Sequence, residues 1–409
     1  MSVRILVGDV RAMLATLPDN SLHACVTSPP YWSLRDYGVS PSIWGGAADC
    51  DHTWGIDHFC GKCDAWIGCL GLEPTPDLYV EHIADIFDQV RRVLRPDGTL
   101  WLNLGDCYAA GGRGGNTGGK SGLQGSTDSQ EASRSAGQRI GYRSSFRRDR
   151  APRGDVAHKS APGIKAKDLV GIPWMVAFAL RARGWYLRSD IIWAKTNPMP
   201  ESIRDRPTKA HEYVFLLAKS EDYFYDHEAI RETNSGAGRN RRSVWTLSTA
   251  PFAGAHFATY PPKLVTPCIE AGTSEHGCCS ICGSPFERIV ERREPLTAQM
   301  ALAGADKSGE YHGAAQKAYT GTGAQNPSAV KARILAGMRA RVTVSWQPTC
   351  KHTLRTVVPS VVLDPFAGAG TTGLVAQRLG RDFIGIELNP EYAAMAEQRI
   401  AGERKDKTA

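Results

Sequence analysis

The sequence lacks an apolar run long enough to cross a membrane. No stretch among its 409 residues approaches the roughly eighteen consecutive apolar positions of a membrane helix. Its first residues also lack the charged, apolar and small-residue segments of a secretion signal. These absences argue against a helical membrane protein and predict a soluble protein of the cytoplasm.

A strong bias of charge is absent as well. The chain carries 49 lysine and arginine residues against 42 aspartate and glutamate residues, which leaves a formal net charge of +7. A solvated basic surface explains such a charge, and so does a polyanionic partner, so the charge alone decides neither. With 42% hydrophobic residues, the chain can bury one large core with insertions or form two domains.

Disulfide bonds are not expected, although the chain has 11 cysteines, because the cytoplasm keeps thiols reduced. Two groups of residues have instead the composition of structural zinc sites, which take four tetrahedral sulfur and nitrogen ligands. The two groups are Cys50, His52, Cys60 and Cys63, and Cys279, Cys282, Cys350 and His352. We predict zinc at both groups, with a packed, metal-free knuckle as the alternative.

Five further cysteines and one histidine need an assignment. Cys278 is an alternative to Cys279 as a ligand of the second group. The spare candidates near the first group are His58 and Cys69. The remaining three cysteines stand in apolar segments and are predicted to be buried as small hydrophobic residues: Cys25, Cys107 and Cys268.

Strand and helix periodicity alternate along the chain, as an α/β sheet requires. The predicted strands cover residues 3–7, 24–27, 99–104, 187–193 and 213–218 and begin again near 361 and 383. The predicted helices cover residues 10–17, 173–184 and 390–400, and a further helix that begins at Pro76 is followed by a predicted turn at Asp97-Gly98. The expected fold class is α/β, with a seven-stranded, mostly parallel sheet and helices on both faces.

A glycine-rich turn follows the predicted strand at 361. Gly368, Gly370 and Gly373 fit the pattern G-x-G-x-x-G of nucleotide-binding turns, and Glu387 ends the next strand, near the position of an acidic residue that receives a ribose hydroxyl. A dinucleotide-binding domain would begin with such a turn, but here only one predicted helix follows Glu387. The other strands must therefore come from upstream residues, which predicts a permuted strand order.

A second unusual segment, Ser28-Pro29-Pro30-Tyr31-Trp32, follows the apolar run at 24–27. The two prolines fix φ and remove two backbone donors, so the chain leaves the strand in a rigid turn whose carbonyls are acceptors. The hydroxyl, these carbonyls and the two aromatic faces can together hold a flat, amine-bearing base. For this segment taken alone, an ordinary loop is the alternative.

Together these segments resemble the amino-group DNA methyltransferases of the β arrangement, which are found in bacteria and phages. The resemblance rests on Ser28-Pro29-Pro30-Tyr31, on Asp-Pro-Phe-Ala-Gly-Ala-Gly-Thr-Thr at 364–372 and on Gly-Ile-Glu-Leu-Asn-Pro-Glu-Tyr at 385–392. Further family-like segments lie at 5–9, 98–106, 191–198, 211–217 and 256–261. The resemblance implies a circularly permuted class I S-adenosylmethionine-dependent methyltransferase fold, in which the zinc-binding segments are insertions.

For the cofactor S-adenosylmethionine, the resemblance implies roles at the matching positions. The residues that would line its methionine end are Asp364, Phe366, Gly368 and Gly370. Thr371 and Thr372 would bond its carboxylate at the start of a helix. Glu387 would accept both ribose hydroxyls, and Asp9 would lie at the adenine side.

The resemblance also implies that the substrate is an exocyclic amine of double-stranded DNA. The catalytic residues would be Ser28, Pro29, Pro30 and Tyr31. Such an amine is a poor nucleophile until acceptors hold its N–H groups, and the Ser28 hydroxyl and the Pro29 carbonyl would supply them. Tyr31 would stack on a base flipped out of the duplex, with Trp193 and Lys195 nearby. Methyl transfer would then be direct and in line, without a covalent enzyme intermediate.

The residue at position 28 bears on which base is modified. N6-adenine enzymes of this superfamily usually begin the tetrad with Asp or Asn, whereas N4-cytosine enzymes usually carry Ser, so the sequence favours cytosine N4 and leaves adenine N6 as the alternative. A cytosine-C5 enzyme would need a Pro-Cys-Gln segment, which Pro267-Cys268-Ile269 does not match. Two other functions stay open: a non-catalytic DNA-binding zinc protein, and a methyltransferase acting on RNA or on a protein amide.

The expected organisation is one catalytic core with three insertions. The core covers residues 1–270 and 355–409, and the insertions cover 44–72 with the first zinc group, 108–167 with a Gly/Ser/Arg-rich flexible composition, and 274–354 with the second zinc group. The residues that read the target sequence are placed between Arg231 and Lys351. A cognate restriction nuclease is an open partner, and the sequence does not define the oligomeric state.

Overall fold

The structure is a computed structural model that describes residues 2–33, 38–109, 163–232, 239–250, 259–293, 340–353 and 356–406. Its strands are β1 (Val3–Val7), β2 (Leu22–Thr27), β3 (Ser42–Trp44), β4 (Trp66–Gly68), β5 (Leu94–Leu104), β6 (Tyr186–Lys195), β7 (His211–Ala218), β8 (Val244–Leu247), β9 (Cys278–Cys279), β10 (Phe286–Arg293), β11 (Ala340–Pro348), β12 (Val357–Val358), β13 (Val361–Asp364) and β14 (Asp382–Glu387). Its helices are α1 (Val10–Ala15), α2 (Pro76–Val93), α3 (Ile172–Ala182), α4 (Pro262–Gly272), α5 (Thr371–Arg378) and α6 (Pro390–Asp406).

Eight of these strands form one central sheet in the order β1-β14-β13-β2-β5-β7-β6-β8. Strand β7 runs antiparallel to both of its neighbours, and every other pair in the sheet is parallel. The two C-terminal strands β13 and β14 therefore lie between β1 and β2. This placement brings the two ends of the chain together in one mixed α/β sheet.

The sheet is buried on both faces because its strands alternate between two hydrophobic cores. In β5, Leu100 and Leu102 pack into one core, whereas Trp101 between them packs into the other. Helices α1, α2 and α3 contribute to the first core, and α4, α5 and α6 contribute to the second. The predicted arrangement of helices on both faces is confirmed.

The predicted number of seven strands is wrong by one, because β8 adds to the edge of the sheet beside β6. This strand has only four residues, and its first residue Val244 is 57% exposed, so it carries too weak a periodicity to be found in the sequence. The predicted turn at Asp97-Gly98 is also wrong. There β5 continues back to Leu94, with a register shift against β2 in place of a turn.

The helix ends agree with their sequence signals. Thr75 caps α2 by accepting a hydrogen bond from the backbone N–H of Leu78, with Pro76 in the first turn. Asn389 accepts from the N–H of Glu391 at the start of α6. In the part of the chain that is described, no helix combines the length and apolar character needed to span a membrane.

Three two-stranded sheets lie outside the central sheet. Strands β3 and β4 pair within the predicted insertion 44–72, whereas β10 pairs with β11 and β9 pairs with β12 around the predicted module 274–354. Most of the predicted flexible insertion, residues 110–162, lies outside the described residues, as do residues 294–339.

Gly373 provides a test of how closely α5 packs on the sheet. A Cβ atom at this position would lie 2.5 Å from Ile400 Cδ1 and 2.6 Å from the Phe383 ring. We expect Gly373→Ala to lower the free energy of unfolding by about 1–3 kcal/mol through overpacking, measured by urea denaturation. Gly402→Ala in α6 is the matched control, because no atom lies within 4 Å of its Cβ. It should be neutral or stabilising, and equal stability of the two variants would contradict this packing.

Candidate active site

The predicted site residues gather at one edge of the sheet, where five adjacent strands have their carboxyl ends. Ligands of open α/β sheets bind at this edge. Asp9 follows β1, Glu387 ends β14, Asp364 ends β13, Ser28 follows β2 and Gly105 follows β5. A short hydrogen bond of 2.6 Å from Thr27 Oγ1 to Asp364 Oδ1 joins the two halves of the site across 337 positions of sequence.

Asp364 is the most heavily bonded residue of this edge. Its side chain accepts hydrogen bonds from Thr27, from Thr372 Oγ1 at 2.7 Å, from the Tyr260 hydroxyl at 2.9 Å and from the backbone N–H of Phe366 at 3.1 Å. Burial raises the pKa of Asp364, and these hydrogen bonds oppose the shift. The carboxyl group therefore fixes the positions of its neighbours, and Tyr260 is a site residue that the sequence interpretation did not single out.

The glycine-rich turn brings the backbone close to Glu387. Gly368 and Gly370 have φ values of +49° and +74°, which glycine adopts without the strain that a side chain would cause. The N–H of Gly368 donates to Glu387 Oε2 at 2.8 Å, and the N–H of Asn389 donates to Oε1 at 2.9 Å. Burial raises the pKa of Glu387, and these N–H groups oppose the rise. Each carboxylate oxygen keeps a further lone pair for a ligand hydroxyl.

The two predicted threonines are buried at the start of α5. Thr372 is 0% exposed, and its hydroxyl bonds Asp364, Tyr260 and the backbone oxygen of Val26. Thr371 is 3% exposed, and its hydroxyl accepts from Arg399 Nη1 at 3.0 Å. Both hydroxyls thus have partners inside the protein. Their predicted contact with a carboxylate of the cofactor stays a prediction.

Half-buried positions of the edge are the ones that a ligand can reach. Among the predicted site residues these positions are Asp9, Ser28, Pro30, Tyr31, Phe366, Gly368 and Glu387, whereas Pro29 is buried. Asp9 caps α1 and bonds Arg11 and the Ser42 hydroxyl of β3. Burial alone would raise the pKa of Asp9, but Arg11 and Ser42 outweigh it and hold this pKa below its ordinary value. Asp9 is therefore an ionised group at the far end of the site.

Three hydrogen bonds hold the turn after β2 against α2 and the segment that precedes it, and a fourth orders that segment. Tyr79 of α2 donates its hydroxyl to the Pro30 carbonyl at 2.8 Å, and Trp32 Nε1 donates to the Glu73 carbonyl at 3.0 Å. The N–H of Ser33 donates to the Gly71 carbonyl at 2.8 Å, and the N–H of Gly71 donates to Glu73 Oε2. Trp32 is only 3% exposed, so the predicted stacking face on this residue is wrong, whereas Tyr31 remains accessible.

The Tyr31 hydroxyl is the centre of a polar network. It donates to Glu212 Oε2 at 2.8 Å, with Asn103 Oδ1 as a second, more distant acceptor at 3.2 Å, and it receives a hydrogen bond from Ser28 Oγ at 3.2 Å. Asn103 Nδ2 donates to the same Glu212 oxygen at 3.2 Å, and Lys195 Nζ pairs with Glu212 Oε1. Burial raises the pKa of Tyr31, and the Glu212 charge adds to this shift, so the hydroxyl stays neutral.

Asn103 and Glu212 are therefore functional candidates that the sequence interpretation named only as parts of family-like segments. One signal in the sequence points to Asn103, which is a polar residue between two leucines in a buried strand. Glu212 offers no comparable signal, because it stands at the beginning of β7. Trp193 is 2% exposed and donates to the Leu247 carbonyl, so it is a core residue beside the network.

The structure brings together both predicted groups of metal ligands. In each group of four, the ligand atoms lie within 4.8 Å of one another. The Cys50 and Cys60 sulfurs are 3.9 Å apart, Cys63 Sγ lies 3.4 Å from His52 Nδ1, and Cys279 Sγ lies 3.8 Å from His352 Nδ1. Tetrahedral zinc requires about 3.8 Å between sulfurs and about 3.6 Å between sulfur and nitrogen. Both groups therefore fit this ion.

One thiol in each group is acidic. Burial alone would raise the pKa of Cys60, but the N–H of Lys62 and the His52 side chain outweigh it and lower this pKa to about 6. Burial is likewise outweighed at Cys282, where the hydroxyl and N–H of Ser284 lower the pKa to about 6. Thiolates are the form that metals bind. Each group thus has one sulfur that readily takes the thiolate form to which a metal binds.

The remaining cysteines are placed away from the ligand groups. Cys278 bonds the Ser360 hydroxyl at 3.0 Å, so Cys279 and not Cys278 joins the second group. Cys25 and Cys268 are buried, as predicted, and Cys107 is half-buried against the first core. Cys69 bonds the Val39 carbonyl.

The two ligand groups lie at opposite ends of the strands of the central sheet. The first group belongs to the β3–β4 segment, which touches the active-site edge through the bond from Ser42 to Asp9. The second group lies where β2 and β5 begin, because the Cys282 carbonyl accepts from Arg95 and the Gly283 carbonyl bonds His23. Of the two groups, only the first therefore belongs to a segment that contacts the active-site edge of the sheet.

Comparisons with known proteins find relatives over nearly the whole chain. The N6/N4 methyltransferase family model, described as a DNA methylase, matches residues 22–279 and 354–398. The type II methyltransferase M.XycI of Xanthomonas campestris pv. cyanopsidis is 36% identical over 400 residues, which cover 98% of this chain and 88% of that protein. M.SmaI of Serratia marcescens, also a type II methyltransferase, is 33% identical over 406 residues, covering 98% and 92%. Both matched segments of the family model contain residues of the site.

Similarity to solved structures is more distant. The PvuII DNA methyltransferase, described as cytosine-N4-specific, is 16% identical with a TM-score of 0.48, and the alignment covers 99% of this chain and 92% of that one.

Glu387 provides a test of the cofactor half of the site. Glu387→Gln replaces one carboxylate oxygen by an amide that faces a backbone N–H, so it removes both the charge and one acceptor. We expect S-adenosylmethionine to bind roughly 10–100-fold more weakly, as for the loss of a hydrogen bond to a charged group, measured by isothermal titration calorimetry. Glu391→Gln, in the exposed first turn of α6, is the control and should bind normally. Equal affinity of both variants would contradict the ribose-binding role.

Proposed function

The chain belongs to the N6/N4 family of DNA methyltransferases, and from this premise we propose that it methylates the N4 amine of a cytosine in double-stranded DNA with S-adenosylmethionine as donor. The choice of cytosine rests on the presence of a serine at position 28. Its hydroxyl donates to Tyr31, which leaves the oxygen lone pairs to accept an N–H of the target amine. An Asp or Asn would begin this turn in a typical N6-adenine enzyme, and adenine remains the alternative.

The residues of the turn each have a part in this proposal. The Ser28 oxygen and the Pro29 carbonyl accept the two N–H groups of a flipped base and so localise the nitrogen lone pair. Tyr31 stacks on the base, while its hydroxyl orients Ser28. Pro30 holds the turn through its bond with Tyr79. The rate gain comes from this positioning and from the fixed dipoles around the amine.

For the donor, we propose the permuted class I arrangement implied by the sequence resemblance. Bound S-adenosylmethionine supplies a sulfonium methyl group for direct transfer. Glu387 ends β14 and Asp9 follows the neighbouring strand β1, and these two residues would hold its ribose and adenine parts. The turn around Phe366 and Gly368 would receive its methionine end. Asp364, Gly370, Thr371 and Thr372 are buried, and their support for this proposal is that they shape the same turn.

We also propose structural zinc at Cys50, His52, Cys60 and Cys63 and at Cys279, Cys282, Cys350 and His352. The short distances among the ligand atoms support this proposal, and so does the presence of acidic thiols. None of the ligands in either group is a predicted residue of the active site. Zinc would stabilise the β3–β4 segment and the β9–β12 region without entering the reaction.

We propose that residues of the module 274–354 read the target sequence. The described part of this module lies at the edge where β2 and β5 begin, away from the catalytic turn. Base-reading contacts from it would therefore depend on residues 294–339, which are outside the described ranges. The relatives are type II methyltransferases. We accordingly propose a restriction-modification role in the cytoplasm, beside a cognate nuclease.

The modified base can be identified by mass spectrometry. DNA incubated with the chain and labelled S-adenosylmethionine is digested to nucleosides, and we expect labelled N4-methylcytosine. Labelled N6-methyladenine without N4-methylcytosine would overturn the choice of base. Label only in RNA or protein would overturn the choice of DNA.

Zinc occupancy has a direct test. We expect the purified protein to contain about two zinc ions per chain by plasma mass spectrometry, because two complete ligand sets are present. Cys63→Ser and Cys282→Ser should each lose about one ion. Cys278→Ser is the matched control, since this residue bonds Ser360 outside the ligand set, and it should keep both ions. Less than half an ion per chain in protein prepared with zinc would argue for metal-free knuckles.

A further inference from the structure

Glu212 is a half-buried carboxylate that points into the catalytic turn from the antiparallel strand β7. One oxygen receives the Tyr31 hydroxyl at 2.8 Å and Asn103 Nδ2 at 3.2 Å, and the other pairs with Lys195. Its side chain is 16% exposed. Binding of the cofactor and of the target amine in the proposed function does not use this carboxylate.

Methylation of an amine creates a need for a proton acceptor. When the nitrogen takes the methyl group it becomes positively charged, and it must lose a proton to give the neutral product. The Pro29 carbonyl is too weakly basic to keep that proton. A serine hydroxyl can accept it only if the hydroxyl passes on its own proton at the same time.

The hydrogen bonds of the turn provide this path. Ser28 Oγ donates to the Tyr31 oxygen at 3.2 Å, and the Tyr31 hydroxyl donates to Glu212 Oε2 at 2.8 Å. Each donor thus points along the path that ends at the carboxylate. Burial keeps Tyr31 neutral, so it can pass a proton on without holding a charge.

We propose that Glu212 is the terminal proton acceptor of the reaction, reached from the target amine through Ser28 and Tyr31; the inference rests on the proposed amine methylation. The N–H bond of the methylated amine breaks and a new O–H bond forms at Ser28. The former Ser28 proton moves to the Tyr31 oxygen, and the former Tyr31 proton moves to Glu212. The nitrogen and the carboxylate both end neutral, so charge and protons balance.

Lys195 and Asn103 position the acceptor. Lys195 pairs with the Glu212 oxygen that does not face Tyr31, and Asn103 is held between Glu212 and the Tyr213 carbonyl at 3.0 Å. Together they aim the second carboxylate oxygen at Tyr31. Gly105 contributes space, because a Cβ there would lie 2.5 Å from the Tyr31 ring.

The test compares Tyr31→Phe, Glu212→Gln and the double variant in single-turnover methyl transfer to DNA with tritiated S-adenosylmethionine. Loss of proton transfer should slow each single variant by roughly 10²–10⁴-fold. The double variant should be no slower than the slower single one, because the two residues act in one path. Binding of S-adenosylmethionine should be unchanged, which shows that the variants are folded. Glu221→Gln, at an exposed position after β7, should keep the wild-type rate.

A solvent isotope effect separates this path from a purely structural role. The wild-type rate should fall in D₂O, and the difference should vanish in both single variants. Wild-type rates in Glu212→Gln, multiplicative effects in the double variant, or an unchanged isotope effect would each overturn the inference. Labelling of adenine by the wild-type chain would overturn only the proposed base, since the path begins at an exocyclic amine in either case.

Discussion

The buried carboxyl group of Asp364 is the contact on which the site depends. It lies at the end of β13, and its hydrogen bonds from Thr27 at the end of β2 and from Thr372 and Tyr260 tie four segments of chain to one point. A buried donor that loses such a partner costs about 1–3 kcal/mol. This network therefore keeps the glycine-rich turn and the turn after β2 at a fixed separation, which the proposed direct transfer between two bound molecules requires.

The catalytic turn has a second support, from the opposite side. Glu73 is fully buried and bonds both the N–H of Gly71 and His82 Nδ1, at 2.8 and 3.0 Å. The His82 ring stacks on Trp44 of β3 with 4.5 Å between ring centroids. Because Trp32 bonds the Glu73 carbonyl, these contacts connect the turn to the segment that carries the first ligand group. A structural ion in that segment would thus stiffen the turn from a distance.

Most of the sheet was predictable because each strand repeats its apolar pattern locally and is bounded by turn residues. The short edge strand β8 was not, since its four residues follow from pairing with β6 and not from a pattern of their own. The same limit applies to the site. Ser28, Gly368 and Glu387 stand in recognisable segments, whereas Glu212 comes to contact Tyr31 only through the antiparallel pairing that sets β7 beside β5.

The sequence by itself determined the two turns, the residue types of the two predicted ligand groups and the need for an upstream sheet, because these depend on residue type and short spacing. Only the tertiary structure decided which polar atoms meet. In the folded chain the Thr372 hydroxyl bonds Asp364, and Cys279 rather than Cys278 lies in the second ligand group. It also placed a carboxylate behind Tyr31. These outcomes depend on strand order and on the direction of each side chain. The packing of two cores on one sheet sets both, and no local sequence pattern contains them.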